Sequence, residues 1–343
     1  MGYLESYKHK FLFGARFTIS LLIIVTMWIL FWPQARHEEH TRHKITKGAS
    51  LQEVSHGLLD KGIISNERTF LMAVHLLGHE KNIQAGVFQF RNISNHYTLI
   101  DQLVNGTPER KRIMIPEGLN MSQIAKVFVE KLGFSEEQFS ALTMNKIFIN
   151  SLGIKGESLE GYLFPDTYLF FEGDSPESVI KTMVKQYQSI WTSEFNDRLA
   201  SMNMSEKEIL TLASIIEGEV IYNSERPIIS GVYHNRLRMG MKLQADPTIQ
   251  YIILDGPRRL LNKDLKIRSP YNTYLNNGLP PGPINSPGKE SIRAALYPNE
   301  HDYLFFVAKG DGKHTFTTNE KDHLKAKKVF QKIRRELKRK KNI

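Results

Sequence analysis

Hydrophobic positions along the chain fall into three patterns: one unbroken run, several helical stripes and a few alternating stretches. The unbroken run comes first. Phe17 to Trp32, FTISLLIIVTMWILFW, holds 16 residues without a charge, and extending it back through Arg16 to Phe11 gives 22. That length predicts a membrane-spanning helix over residues 11–32, with Arg16 near enough to one end to reach the headgroups and Trp28, Phe31 and Trp32 as an aromatic belt at the other. The FWPQAR that follows offers no small-x-small cleavage site, so the run reads as a retained anchor rather than a cleaved signal peptide. Basic residues stand on both sides, Lys8, Lys10 and Arg16 before the span and Arg36, Arg42 and Lys44 after it, and do not fix the orientation. The lopsided mass does: about ten residues precede the span and more than 300 follow it. The expectation is a single-pass anchor in the inner (cytoplasmic) membrane, with residues 1–10 cytoplasmic and the bulk on the periplasmic or wall side.

Helical stripes begin after a polar, Pro-started linker over 33–42, PQARHEEHTR. HKITKGASLQEVSHGLLDKGIISNERTF reads as a short strand, a Gly turn and a helix capped by Ser50, with Leu51, Val54 and Leu58 on one face and Gly62 at its stop. Seventy positions later, MIPEGLNMSQIAKVFVEKLGFSEEQF repeats this weakly: Gly48 aligns with Gly118, Ser50 with Asn120, Val54 with Ile124, Leu58 with Phe128 and Ser65 with Ser135. Between the copies, residues 85–106 read as a strand followed by a helix. Residues 43–150 are therefore expected to form a small α+β module, either purely structural or a polysaccharide-binding unit.

Residues 151–330 are expected to form a larger mixed α/β domain, which makes the fold class α+β with an N-terminal transmembrane helix. Its opening stretch, SLEGYLFPDTYLFF, carries Tyr162, Phe164, Tyr168 and Phe170, aromatic faces of a kind that stack on sugars or fill a core. Helices are predicted at about 175–200 and 205–222, with another from near Ser224. In the second of these, Ile209, Leu212, Ala213, Ile216 and Val220 form an apolar stripe and Glu217 sits at its edge. A carboxyl group partly desolvated in this way holds its proton to higher pH, as a general acid must. The alternative is an ion pair with Arg226 or Arg236 that ties two helices together. Glu219 and Glu225 fall on other faces and are expected to be more exposed. Glycosidases ordinarily flank the bond with two acids, so a lone Glu points to a structural role or to a mechanism in which the substrate supplies the second group.

Alternation returns in LFFVAKGDGKHTFTTNEKDH, a predicted β-hairpin turning at Gly310, Asp311 and Gly312. A last amphipathic helix follows, with Val329, Phe330, Ile333 and Leu337 on one face and a basic tail over 331–343.

Composition changes this picture in two places. The net charge of +10 lies almost wholly in residues 325–341, which hold ten Lys/Arg and one Glu, so the body is near neutral and no nucleic-acid partner is expected. The chain has no cysteine, which excludes disulfides and thiolate metal sites. His301, His314 and His323 lack metal-ligand spacing, so no metal or cofactor is predicted.

The ordered block LASIIEGEV, GVYHNRLRMGMKLQADPTIQY, SPYNTYLNNGLPPGPINSPGKESIRAAL and DYLFFVAKGDGKHTFTTNEKDH, with EGYLFPDTY before it, closely resembles the endolytic murein transglycosylases, membrane-anchored lytic enzymes of bacterial peptidoglycan. The likeness spans nearly the full chain, and the module at 43–150 looks like that family's LysM-like domain. By position, Glu217 matches the family's catalytic glutamate. The resemblance implies a single-residue mechanism: Glu217 protonates the oxygen of the β-1,4 bond between N-acetylmuramic acid and N-acetylglucosamine, then takes a proton from the muramyl C6 hydroxyl to leave a 1,6-anhydro end. It further implies that Gln244, Asp246, Thr248 and Tyr251 of LQADPTIQY line the glycan groove, with Asn235 and Arg236 of the NRL motif and with Tyr271, Asn272 and Asn285 of the Pro/Gly-rich loops. Many relatives carry Lys after the catalytic Glu. Gly218 stands there in this chain and weakens the helix at that point. Peptidoglycan strands, the membrane and the glycan synthases are the implied partners. The same residues also allow two other readings, a non-catalytic wall-binding protein of the same fold and a muramidase-type hydrolase using water.

Overall fold

The computed structural model describes residues 2–33, 41–46, 48–90, 93–253 and 255–341. Most of the predicted linker, residues 34–40 with Arg36, lies outside them. The chain mixes helices and short strands and divides into two compact units, residues 1–112 with 169–174, and residues 113–168 with 175–343. The division comes earlier than the predicted 150/151 boundary, because the second copy of the strand–turn–helix repeat packs with the larger unit.

The first unit opens with α1, Gly2–Phe31. Within it Leu12–Phe31 is long and apolar enough to cross a membrane, at 20 residues and mean hydropathy 1.9. Strand β1 (Thr41–Ile45) and helices α2 (Leu51–Asp60) and α3 (Glu67–Leu77) lead to β2 (Gly86–Phe90), which pairs antiparallel with β1 from Thr41 opposite Phe90 to Ile45 opposite Gly86. Helix α4 (His96–Asn105) closes the unit. The core is apolar: Val54, Leu58, Phe70, Val74, Phe88, Leu99 and Leu103 are buried together, with Leu30 from the end of α1.

Strand β3 (Arg110–Met114) pairs with the later β4 (Thr167–Phe171), and the unit boundary falls within these two strands. Between them run α5 (Met121–Leu132), α6 (Glu136–Thr143) and α7 (Lys146–Ser151). The repeat is physical as well as sequential. Gly48 and Gly118 both take left-handed φ, +83° and +79°, and Ser50 and Asn120 both cap a helix through a reciprocal capping box, with Glu53 and Gln123. The last aligned pair slips by one, since α3 is capped by Asn66 while Ser135 caps α6.

The larger unit continues with α8 (Pro176–Ile190), α9 (Ser193–Ala200), α10 (Glu206–Glu219) and α11 (Arg226–Arg238). After these come α12 (Asp246–Ile252), α13 (Lys289–Leu296), the antiparallel hairpin β5 (Phe305–Ala308) and β6 (His314–Thr317), and α14 (Glu320–Lys341). The hairpin turns where predicted, with Gly310 and Gly312 at φ +97° and +87°. Helix α10 is the unit's axis: Ile209 to Ile216 are all buried, and α11, α12 and α13 pack around it. Tyr162, Phe164, Tyr168 and Phe170 are buried as well, which makes them core side chains rather than an open stacking face. The Tyr162 ring meets Tyr187 edge-on at 5.1 Å, and Tyr168 Oη donates to the Phe164 carbonyl.

Candidate functional site

Three loops and two helices meet at the C-terminal end of α10. Its start is fixed by a capping box, Ser205 with Glu208, and the helix runs on through Gly218 to Glu219. Gly218 survives there because Pro247, at the start of α12, lies against it: a Cβ would come within 2.6 Å of the Pro247 Cβ. The 283–288 loop is tied down by Ser214, whose carbonyl accepts from Asn285 Nδ2 at 2.9 Å and whose Oγ accepts from the Ile284 N–H at 3.1 Å. The loop after β3 is tied in turn to that one, by Gly118 N–H to the Ser286 carbonyl at 2.9 Å and Ser286 N–H to the Leu119 carbonyl at 2.8 Å.

These pieces surround a groove of about 520 Å³, a size suited to a small-molecule or sugar cleft. It is lined by Gly118, Asn120 and Lys126 after β3, by Gly218 and Glu219 of α10, and by Asp246, Tyr251 and Asn285. Glu217 is not itself a lining residue but lies next to two that are, Gly118 and Gly218. Its Cγ is 3.7 Å from where a side chain at Gly118 would begin, and its own side chain is only 7% exposed. Both carboxylate oxygens are occupied: Oε1 accepts from Arg226 Nη2 at 3.1 Å and Oε2 from the Gly288 N–H at 3.0 Å. Of the two ion-pair partners open on sequence grounds, Arg226 is the one found. Arg236 instead stacks over Phe305 and donates to the carbonyls of Leu304 and Leu243.

The two neighbouring acids are less exposed than expected. Helix α10 stops at Val220, and the turn that follows folds Glu225 inward, where it is 7% exposed and accepts from the His314 N–H at 3.0 Å. Glu219 is half-buried as a residue, with its carboxyl as the enclosed end. It accepts from Tyr233 Oη at 2.8 Å, and burial pushes its pKa up to about 7, Tyr233 pulling the other way and Asp246 adding to the rise. Glu160 reaches about 7 for the same reason, although it accepts from the Met121 N–H at 3.0 Å and from Tyr251 Oη at 3.4 Å.

The other expected groove residues divide into two groups. Asp246, Tyr251 and Asn285 line the groove. Asp246 Oδ1 accepts from Tyr274 Oη at 2.5 Å, Tyr251 lies against Tyr271 with ring centroids 5.0 Å apart, and Asn285 Oδ1 is buried without a partner. Gln244 is exposed and is the one non-glycine with positive φ among the described residues, +46°, held by its N–H to the Thr273 carbonyl at 3.1 Å.

Thr248, Asn235, Arg236 and Asn272 are not on the groove wall. All four are buried, and their polar atoms serve the fold. Thr248 Oγ1 donates to the Ala245 carbonyl, Asn235 Nδ2 to those of His301 and Tyr303, and Asn272 Nδ2 to those of Leu265 and Ile267. A backbone carbonyl enclosed by packing needs a donor, and these side chains supply it. Glu117, Glu160 and Gly288 join the site without having been expected in it. Glu117 precedes the turn glycine of the second repeat copy, and that position is the signal in the sequence that marks it.

With this geometry in view, comparison with known proteins is specific. Residues 43–329 match the YceG-like family. The endolytic murein transglycosylase of Bacillus subtilis strain 168 is 36% identical over 303 residues, covering 83% of each chain. That of Streptococcus pneumoniae serotype 2 is 29% identical across 91% of this chain, which spans 60% of that relative's length. A crystal structure of a YceG-like protein from Listeria monocytogenes superimposes with a TM-score of 0.59 at 34% identity, over 84% of this chain and 99% of that one.

Proposed function

The chain belongs to the YceG-like family, and from that membership together with the groove at the end of α10 we propose that it is a membrane-anchored lytic transglycosylase that cuts peptidoglycan glycan strands internally. The observation that carries the reading is a buried carboxylate, Glu217, adjacent to the groove residues Gly118 and Gly218. In the reaction Glu217 as acid gives its proton to the oxygen of the β-1,4 bond between N-acetylmuramic acid and N-acetylglucosamine, and the bond from muramyl C1 to that oxygen breaks. The muramyl C6 hydroxyl then attacks C1 and returns a proton to Glu217. No water is consumed, and a 1,6-anhydro ring closes the new end. An internal hydroxyl held against C1 replaces a second carboxylate by proximity alone.

Asp246, Tyr251 and Asn285 are the residues best placed to hold the strand, with Tyr271 packed on Tyr251 and the exposed Gln244 two residues before Asp246 as further candidates. The apolar segment Leu12–Phe31 fits a single-pass anchor of the cytoplasmic membrane, which would hold the groove on the outer side near newly made strands and beside the glycan synthases, where cleavage terminates elongation. The module after it fits a LysM-like role in gripping the same polymer. The test is digestion of purified peptidoglycan by the full-length chain in detergent, with mass analysis of the muramyl ends. Ends lighter by one water than reducing ends are expected, and reducing ends would make the chain a muramidase.

One observation favours a second reading, a wall-binding protein without catalysis: the Arg226–Glu217 ion pair is what a structural glutamate would make. Glu217→Gln separates the two. Loss of product with retained glycan binding is the result expected here, whereas a pure binder has no activity for the substitution to remove.

A further inference from the structure

Arg226 faces two carboxylates. Its Nη2 lies 3.1 Å from Glu217 Oε1 and 3.7 Å from Glu117 Oε2. The remaining guanidinium nitrogens are fixed, Nε by Asn223 Oδ1 at 3.0 Å and Nη1 by Ser291 Oγ, so the group stays in place while its Nη2 edge has two acceptors. The two acids differ in access: the Glu217 side chain is 7% exposed and that of Glu117 is 49%. Glu117 also covers the peptide that holds the other Glu217 oxygen. The Glu117 carboxyl lies where a Cβ on Gly288 would stand, directly against that residue.

We propose that Glu117 is a positioning residue that takes Arg226 away from Glu217, freeing Glu217 to carry the proton of the glycosidic cleavage; the proposal rests on the transglycosylase reading above. While Nη2 stays on Glu217, both carboxyl oxygens accept hydrogen bonds, from Arg226 and from the Gly288 N–H. When Nη2 moves to Glu117, the guanidinium keeps a counter-charge and Glu217 takes up a proton, so the net charge of the trio rises by only that proton. Burial, the Glu217 charge and that of Glu290 on α13 push the Glu117 carboxyl up, while Arg226 pulls it down. Two acids thus compete for one guanidinium, and a single shared proton relieves the excess charge.

The experiment compares wild type, Glu117→Gln and Glu117→Asp as full-length chains in detergent, measuring kcat and KM on peptidoglycan against pH. Glu117→Gln leaves Arg226 to Glu217 alone. The expected result is a fall in kcat of about tenfold or more near neutral pH, KM changed by less than about twofold, and the high-pH limb of kcat moved to lower pH, because the donor is trapped in its charged form. Glu117→Asp keeps the charge at shorter reach and restores part of kcat; should the Gln variant unfold, the Asp variant carries the test by showing the same limb shift in smaller degree. Wild-type kcat and an unmoved limb in Glu117→Gln overturn the proposal, as does a lower kcat with an unmoved limb and no restoration by Asp. A wild-type chain that makes no anhydro ends removes the transglycosylase reading itself, and this role with it.

Discussion

At the scale of single residues, the site depends on which polar atoms have partners. Asn285 spends Nδ2 on the Ser214 carbonyl and leaves Oδ1 buried and unpaired beside the groove. An acceptor in that state favours any ligand that brings an N–H or O–H. Asn285→Ala is therefore expected to lower kcat/KM on glycan about tenfold, equivalent to ~1.4 kcal/mol, with a smaller loss of thermal stability from the freed carbonyl. Glu219 and Glu160 make the stability of the fold depend on pH. Each titrates at about 7 in the fold against an ordinary value of 4.5. The folded chain then holds protons that the unfolded chain has released, so stability is greatest below about pH 4.5 and falls as pH rises toward 7, by on the order of 3 kcal/mol for each group. Melting curves between pH 5 and 8 should show wild type losing stability relative to Glu219→Gln as pH rises, and parallel curves would contradict the assignment. Neither acid was legible in the sequence as buried. Glu219 follows the apolar stripe of α10, but Tyr233, which encloses it, comes from another helix, and no spacing within one segment reports a partner from elsewhere.

At the scale of elements, local chemistry carried most of the information. The repeat was legible because its parts are local: a left-handed glycine and a side-chain cap need only neighbours in sequence. The same holds for the 305–317 hairpin and for α10 as far as Glu219. What stayed hidden was long-range. Asn235, Arg236 and Asn272 look like ligand-binding residues in a motif, yet each satisfies carbonyls of segments distant in sequence or in a neighbouring loop. Gly218 illustrates how the two levels compete. Helix propensity alone says that Gly218→Ala should stabilise α10 by about 1 kcal/mol. The new methyl would sit 2.6 Å from Pro247, and such overpacking costs roughly 1–3 kcal/mol, so the clash is expected to win. Gly218→Ala should therefore melt lower than wild type and cut glycan more slowly, since α12 and Asp246 move with Pro247. A higher melting point would mean that Pro247 yields easily.

At the scale of the whole chain, access to glycan depends on which side of a membrane the groove lies. The 20 residues of Leu12–Phe31 would span about 30 Å as a helix, the thickness of a bilayer's hydrocarbon. Sequence charge leaves the direction undecided, since basic residues flank both ends. The chain itself offers a clean way to decide, because it contains no cysteine and any introduced thiol is unique. Asp311 sits exposed in the turn between β5 and β6, and Ser6 lies ahead of the apolar segment. In cells expressing Asp311→Cys, a membrane-impermeant maleimide is expected to label the chain from outside, while Ser6→Cys is labelled only after lysis. The opposite pattern would put the groove in the cytoplasm, away from assembled glycan, and would leave the transglycosylase chemistry without a substrate. Labelling of both thiols before lysis, with the chain in the soluble fraction, would instead mean that the apolar helix does not hold the protein in the membrane.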